Sequence, residues 1–226
     1  MTGPTTAPAG TVRLVLATRN AHKLTELRRI LGSELAGAVE VVGLDDVPPY
    51  GDVPETGVTF AENALIKAQE AARHTGLPAV ADDSGLEVDA LNGMPGVLSA
   101  RWAGRVRDDA ANRRLVLEQV SDVPDDQRGA AFVCAAALVL PDGSERVVEG
   151  RMDGALVREP RGTDGFGYDP IFVPTGGSRT AAELPPAEKD AISHRGRAFR
   201  ALLPHLRAVA GGEAPGDRPA GDQPRR

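Results

Sequence analysis

The chain has 226 residues, 41% of them apolar or aromatic, a formal charge of −6 and one cysteine. That suffices for one folded unit of two closely packed lobes. The acidic balance argues against a protein that coats nucleic acid polymers, and a lone Cys134 excludes an internal disulfide or a cysteine metal cluster.

The first ten residues hold no apolar stretch of signal-peptide length, and no run approaches bilayer-spanning length, so a cytoplasmic protein without membrane attachment is expected. Residues 1–10 and 211–226 lack apolar anchors and read as disordered tails around a domain spanning 11–210. Within it, Val12 to Ala17 is a β-type run, followed by Leu24, Leu27, Ile30 and Leu31 at helical spacing. Val39 to Leu44 is a second strand, and Asp45 to Gly57 a Pro/Gly/Asp loop. Thr59 and Glu62 form a capping box that opens a helix running to about His74, with Lys67 one turn beyond Asn63. Pro78 to Ala81 reads as a short strand ending in an exposed acidic turn, Asp82 to Gly85, before Leu86 to Leu91. Asp108 to Val120 is an amphipathic helix. Phe132 to Leu140 and Glu145 to Val157 flank Pro141-Asp142-Gly143 as a hairpin. A glycine loop from Arg161 to Tyr168, a strand at Ile171 to Val173 and a helix from Glu188 to Val209, bent near Pro204, complete the α/β pattern.

Only three lysines occur, Lys23, Lys67 and Lys189, against twenty-three arginines, and each sits in a polar interruption of this pattern. A compact ammonium suits a phosphate oxygen or a tight base edge, so the lysines point to an anionic, nucleotide-like ligand. Thr18, Arg19, Asn20, Ala21, His22 and Lys23 lie at a helix N-terminus, where amides, a hydroxyl and an ammonium suit a triphosphate tail. An ordinary turn capped by Thr18 or Asn20 fits the same residues. No Walker glycine-lysine motif occurs. Glu55, Asp82, Asp83 and Asp89 form an acid set of the kind that phosphoanhydride hydrolysis needs, to hold a hard cation and to activate water. The adjacent aspartates can divide those roles, one facing a metal and one the interior, although the segment also reads as a tight turn. Phe166 and Tyr168 offer ring faces for a base in the glycine loop, or else a buried plug. Lys189, Ser193, His194 and Arg195 gather donors near the last helix.

Five ordered segments, Thr18 to Lys23, Glu55 to Ala64, Ala81 to Leu86, Gly165 to Pro170 and Lys189 to Gly196, closely resemble the inosine triphosphate pyrophosphatase family, also called dITP/XTP pyrophosphatases. The resemblance covers about residues 12 to 209. It implies an α/β fold with a long mixed central sheet, helices flanking it, a cleft between two lobes and a homodimer. It also implies Mg²⁺-dependent hydrolysis of ITP, dITP and XTP to the monophosphate and pyrophosphate. Carried over by position, Thr18, Asn20 and Lys23 hold phosphates, Asp83 is the general base and, with Glu55, a metal carboxylate. Lys67 and Ser84 contact substrate, Phe166, Gly167, Tyr168 and Asp169 hold the base, and Lys189, His194 and Arg195 read it. Two positions depart from the pattern: Pro54 stands before Glu55 where some relatives carry a second acid, and Asp164 stands where glycine can occur. The related Maf-type pyrophosphatases act on pyrimidine or modified nucleotides. The Ser-His-Arg and Phe-Gly-Tyr-Asp segments favour the purine reading over theirs, and the carboxylates favour turnover over a nucleotide-sensing module.

Overall fold

The computed structural model describes residues 11–35, 37–104 and 108–211; the expected tails, apart from Gly211, lie outside the described residues. Strand β1 (Val12–Leu16) leads into helix α1 (Ala21–Glu34), which buries Leu27, Ile30 and Leu31 at helical spacing. Asn20 is its cap, accepting from the amides of His22 and Lys23 at 3.0 and 3.3 Å. Strand β2 (Val39–Val42) pairs parallel with β1. Helix α2 (Phe60–Thr75) starts on the expected capping box: the Thr59 hydroxyl accepts from Glu62 N at 3.1 Å, and the Glu62 carboxylate accepts from Thr59 N at 3.3 Å.

Strand β3 (Ala79–Val88) overturns the expected acidic turn. Asp82 to Gly85 run through the body of a ten-residue strand, with Asp82, Asp83 and Ser84 opposite Ala136, Ala135 and Cys134 of β4 (Gly129–Val139). Local turn propensity loses because both carboxylates find cationic partners on helices packed against the two faces. Gly85 admits the tight approach of the 3₁₀ turn Gly96–Arg101, since a Cβ there would collide with Ser99 and the Gly96 carbonyl.

Helix α3 (Asp109–Gln119) follows, β4 and β5 (Glu145–Leu156) make the expected hairpin, and β6 (Phe172–Pro174) pairs with β5. The final helix breaks at Ser193 rather than Pro204, giving α4 (Pro186–Ile192) and α5 (His194–Ala210). Ser193 has extended backbone and its hydroxyl accepts from Gly196 N at 3.0 Å, so a cap restarts the helix, whereas Pro204 is carried inside α5.

The sheet order is β2-β1-β3-β4-β5-β6, parallel among β2, β1 and β3 and antiparallel from β3 onward. Helices α1 and α5 cover one face over Leu14, Leu16, Val80 and Leu138, while α2 covers the other over Val15, Ala79, Ala81 and Ala137. A third cluster, with Leu86, Val88, Val116, Phe132 and Phe172, forms the core of the second lobe.

Candidate active site

A cleft of about 850 Å³ runs between the lobes. Thr18 to Lys23, Glu55, Lys67, Asp83, Ser84, Phe166 to Asp169, His194 and Arg195 line it, whereas Asp82, Asp89, Lys189 and Ser193 do not. Asp89 does not join the acid set. It is exposed at the far end of β3, beside Gly129. Asp164 is also exposed and off the cleft wall, its amide bonded to the Ala182 carbonyl at 3.0 Å.

One end of the cleft is built on α2. The Lys67 ammonium lies 2.9 Å from Glu55 and 3.1 Å from Asp83, and Asn63 donates to the second Asp83 oxygen at 3.3 Å. Asn63 also accepts from Gly57 N at 2.8 Å, which ties the Glu55 loop to the helix. Burial raises the Asp83 carboxyl above its ordinary value, more than Lys67 and Lys23 lower it. For Glu55, burial is outweighed by Lys67 and the net direction is down. Two carboxylates sharing one cation form an all-oxygen set suited to Mg²⁺, which takes one or two carboxylates and completes its shell with water and phosphate. Among the described residues no group of three or more histidines, cysteines or acids is arranged to hold a metal.

Asp82 lies behind this end. It meets Lys23 at 2.8 Å and Arg195 Nε at 3.3 Å. Burial would raise its carboxyl, but those two cations hold it well below the usual range. Arg195 also donates from Nη1 to Glu26 at 2.7 Å and from Nη2 to Ser84 at 2.8 Å. Sequence reasoning missed Glu26, although a carboxylate one turn before Ile30 on the apolar face of α1 was a usable signal. It missed Arg101 too, which lines the cleft 3.5 Å from Glu55. Cys134 is fully buried on the same side, its sulfur 3.9 Å from Asp82.

At the other end the Phe166 ring stacks on His22 with centroids 5.4 Å apart, and the Arg195 and Lys189 cations lie 5.0 and 5.5 Å from its centre. Asp169 accepts from Phe166 N at 2.8 Å and from Lys189 Nζ at 2.7 Å. Lys189 therefore braces the loop from behind. Gly165, at φ +75°, permits this arrangement because a Cβ would strike the Asp169 carboxylate. Tyr168 takes the buried role: it is 4% exposed and its hydroxyl donates to the Ser99 carbonyl at 2.8 Å. His194 stacks on Phe132 with centroids 4.9 Å apart, and its buried Nδ1 has no partner among the described residues. Burial, with Arg195 and Lys189 nearby, keeps that ring neutral.

Residues 14–205 match the Ham1 family. The chain is 65% identical over 196 residues to a Mycobacteroides abscessus protein named dITP/XTP pyrophosphatase, covering 87% of this chain and 95% of that one. It is 64% identical over 198 residues to a Nocardia farcinica protein of the same name, covering 88% and 96%. A crystal structure named nucleoside-triphosphatase / dITP/XTP pyrophosphatase from Mycobacterium abscessus, 65% identical, shares the fold with a TM-score of 0.70 over 85% of this chain and 100% of that chain. All five polar segments, the cleft-lining residues and the sheet from Leu14 onward fall inside one continuous match, and the chain belongs to the Ham1 family.

Proposed function

We propose that the protein hydrolyses non-standard purine nucleoside triphosphates, namely ITP, dITP and XTP, to the monophosphate and pyrophosphate, and so cleans the nucleotide pool. It acts as a Mg²⁺-dependent homodimer of the cytoplasm. No helix among the described residues is long and apolar enough to cross a membrane. The observation that carries the reading is a single cleft with a carboxylate–lysine end, Glu55, Lys67 and Asp83, and a ring-and-donor end, Phe166, His194 and Arg195. The names of the relatives agree with it.

In this reading Thr18, Asn20 and Lys23 hold the phosphates at the start of α1. Asp83, made more basic by burial, takes a proton from the water that attacks the α-phosphorus. The bond from that phosphorus to the bridging oxygen breaks and pyrophosphate leaves, with the Lys67 and Lys23 ammoniums offsetting its charge. Asp83 and Glu55 would hold Mg²⁺, which when bound would supply Lewis-acid stabilisation of the phosphate oxygens. His194, with its free Nδ1, and Arg195 lie where the base edge is read, and Lys189 supports the loop that holds it.

The test is product analysis after incubation with a nucleotide panel and Mg²⁺. ITP should give IMP and pyrophosphate, turnover should vanish with a chelator, and Asp83→Asn should lower the rate about 10²- to 10⁴-fold. Orthophosphate with IDP as primary products overturns the mechanism. Near-normal turnover by the variant removes Asp83 as the base.

A further inference from the structure

Within the second lobe the glycine loop is gripped by α3 on both sides of one residue. Gly167 N donates to Asp109 Oδ2 at 2.7 Å, and the Gly167 carbonyl accepts from Arg113 Nη1 at 2.6 Å. Asp109 and Arg113 are four apart on α3 and share a face, so a single helical turn delivers both side chains. The Tyr168 bond to the Ser99 carbonyl adds a third tie within that lobe. Gly167 sits at φ +60°, and Phe166, one residue earlier, presents its ring to His22 and Arg195 at the base end. A loop held only from behind, through Asp169 and Lys189, can still swing. Captured at both its donor and its acceptor, Gly167 can neither shift nor rotate without breaking a charge-assisted bond.

We propose that Asp109 and Arg113 are positioning residues that latch Gly167 and thereby fix the width of the base end of the cleft, which makes the first turn of α3 a determinant of which base is admitted. This rests on the reading that a nucleotide binds with its base beside Phe166. An unlatched loop must be ordered by the substrate itself, a cost that falls on binding. The phosphate end, carried by the start of α1, α2 and β3, is left intact. Loss of the latch therefore raises KM more than it lowers kcat, and it admits poorly fitting bases.

Asp109 is exposed and Arg113 half-buried, so single substitutions are compatible with folding. In Asp109→Ala and in Arg113→Ala, KM for ITP should rise about tenfold and the preference for ITP over ATP should narrow, with kcat nearly unchanged. Inhibition by inorganic pyrophosphate, which occupies only the phosphate end, should match wild type. Asp109→Asn keeps an acceptor for Gly167 N and should restore most of the loss. The double alanine variant should be little worse than either single, because both act on one residue. Hydrogen exchange over residues 162–170 should quicken in Asp109→Ala with no substrate present. Unchanged exchange, an equal KM rise in Asp109→Asn, or weakened pyrophosphate inhibition in step with ITP each overturns the latch. If wild type fails to turn over ITP, the substrate reading falls while the exchange comparison still decides the latch.

Discussion

Asp82 and Asp83 are joined by one peptide bond, yet they belong to different chemistries because successive side chains of a strand face opposite sides of its sheet. Asp82 turns to the α1–α5 face and is held ionised by Lys23 and Arg195, while Asp83 turns to α2 and the cleft, where burial makes it more basic. Paired carboxylates pushed in opposite directions are a basis for assigning separate roles, one structural and one catalytic. The same network constrains any test of Arg195. Arg195→Ala would strip a partner from Glu26 and from Asp82, both buried, and lost activity would then report damaged folding. Arg195→Lys keeps the charge and loses the planar fork. It should lower kcat/KM for ITP at least about tenfold more than for ATP, since a lost hydrogen bond from a charged group to the 6-oxo edge is worth about 1.5–3 kcal/mol. Equal falls for both nucleotides would assign Arg195 to phosphate binding or to the fold. The division of labour between the aspartates was readable from their adjacency. Glu26 left a signal, a carboxylate on the apolar face of α1, but Asp109 and Arg113 left none, because each acts on a residue far away in sequence and neither breaks the amphipathic pattern of α3.

Among the elements, the break between α4 and α5 does the most to shape the base end. Ser193 ends α4 so that Lys189 reaches Asp169, and starts α5 so that His194 and Arg195 enter the cleft. The apolar spacing from Ile192 through Phe199 to Leu206 runs on without interruption, so periodicity alone joins the two helices, and Pro204 is the more conspicuous breaker. Ser193 is fully buried and Gly196 N depends on it. Ser193→Ala should therefore cost about 1–2 kcal/mol in a denaturant titration, and an unchanged midpoint would show that the cap is dispensable. Elements whose signals are local, such as the α2 capping box and the β4–β5 hairpin, were legible in full. β3 was not, since its acidic stretch is a strand only because Lys23, Lys67 and Arg195 arrive from three helices.

For the whole molecule, buried titratable groups set the response to acid. His194 is neutral in the fold, far below the ordinary value of 6.5, and must gain a proton on unfolding at lower pH. The unfolded chain then binds more protons than the native one, so stability falls as pH drops below about 6.5. His205, also lowered by burial, adds with the same sign. Asp82, depressed below its ordinary 3.8, adds a second loss as pH falls through that region, partly opposed by Asp169, which burial raises. Denaturation midpoints should thus be nearly flat between about pH 7 and 8, decline toward pH 4 and fall more steeply beyond it, with a separate decline in alkali from the Cys134 thiol and Tyr168 hydroxyl, which burial raises. His194→Gln should flatten the first limb and leave the second, and an identical limb in that variant would show that other groups carry it. The sheet itself follows from the alternation of apolar runs and helical spacing, but α1 is joined to α4 and α5 by distant pairs: Arg195 meets Glu26 across 169 positions and Asp190 meets Arg29 across 161. During synthesis the loop from Thr18 to Lys23 is therefore complete early and waits for nearly the whole chain. A nascent chain released before Ser193 carries the Thr18–Lys23 loop without α5, and Glu26 and Asp82 without their arginine. Such fragments are expected to be catalytically silent, so stalled translation yields no partially selective enzyme loose among the cell's ordinary triphosphates.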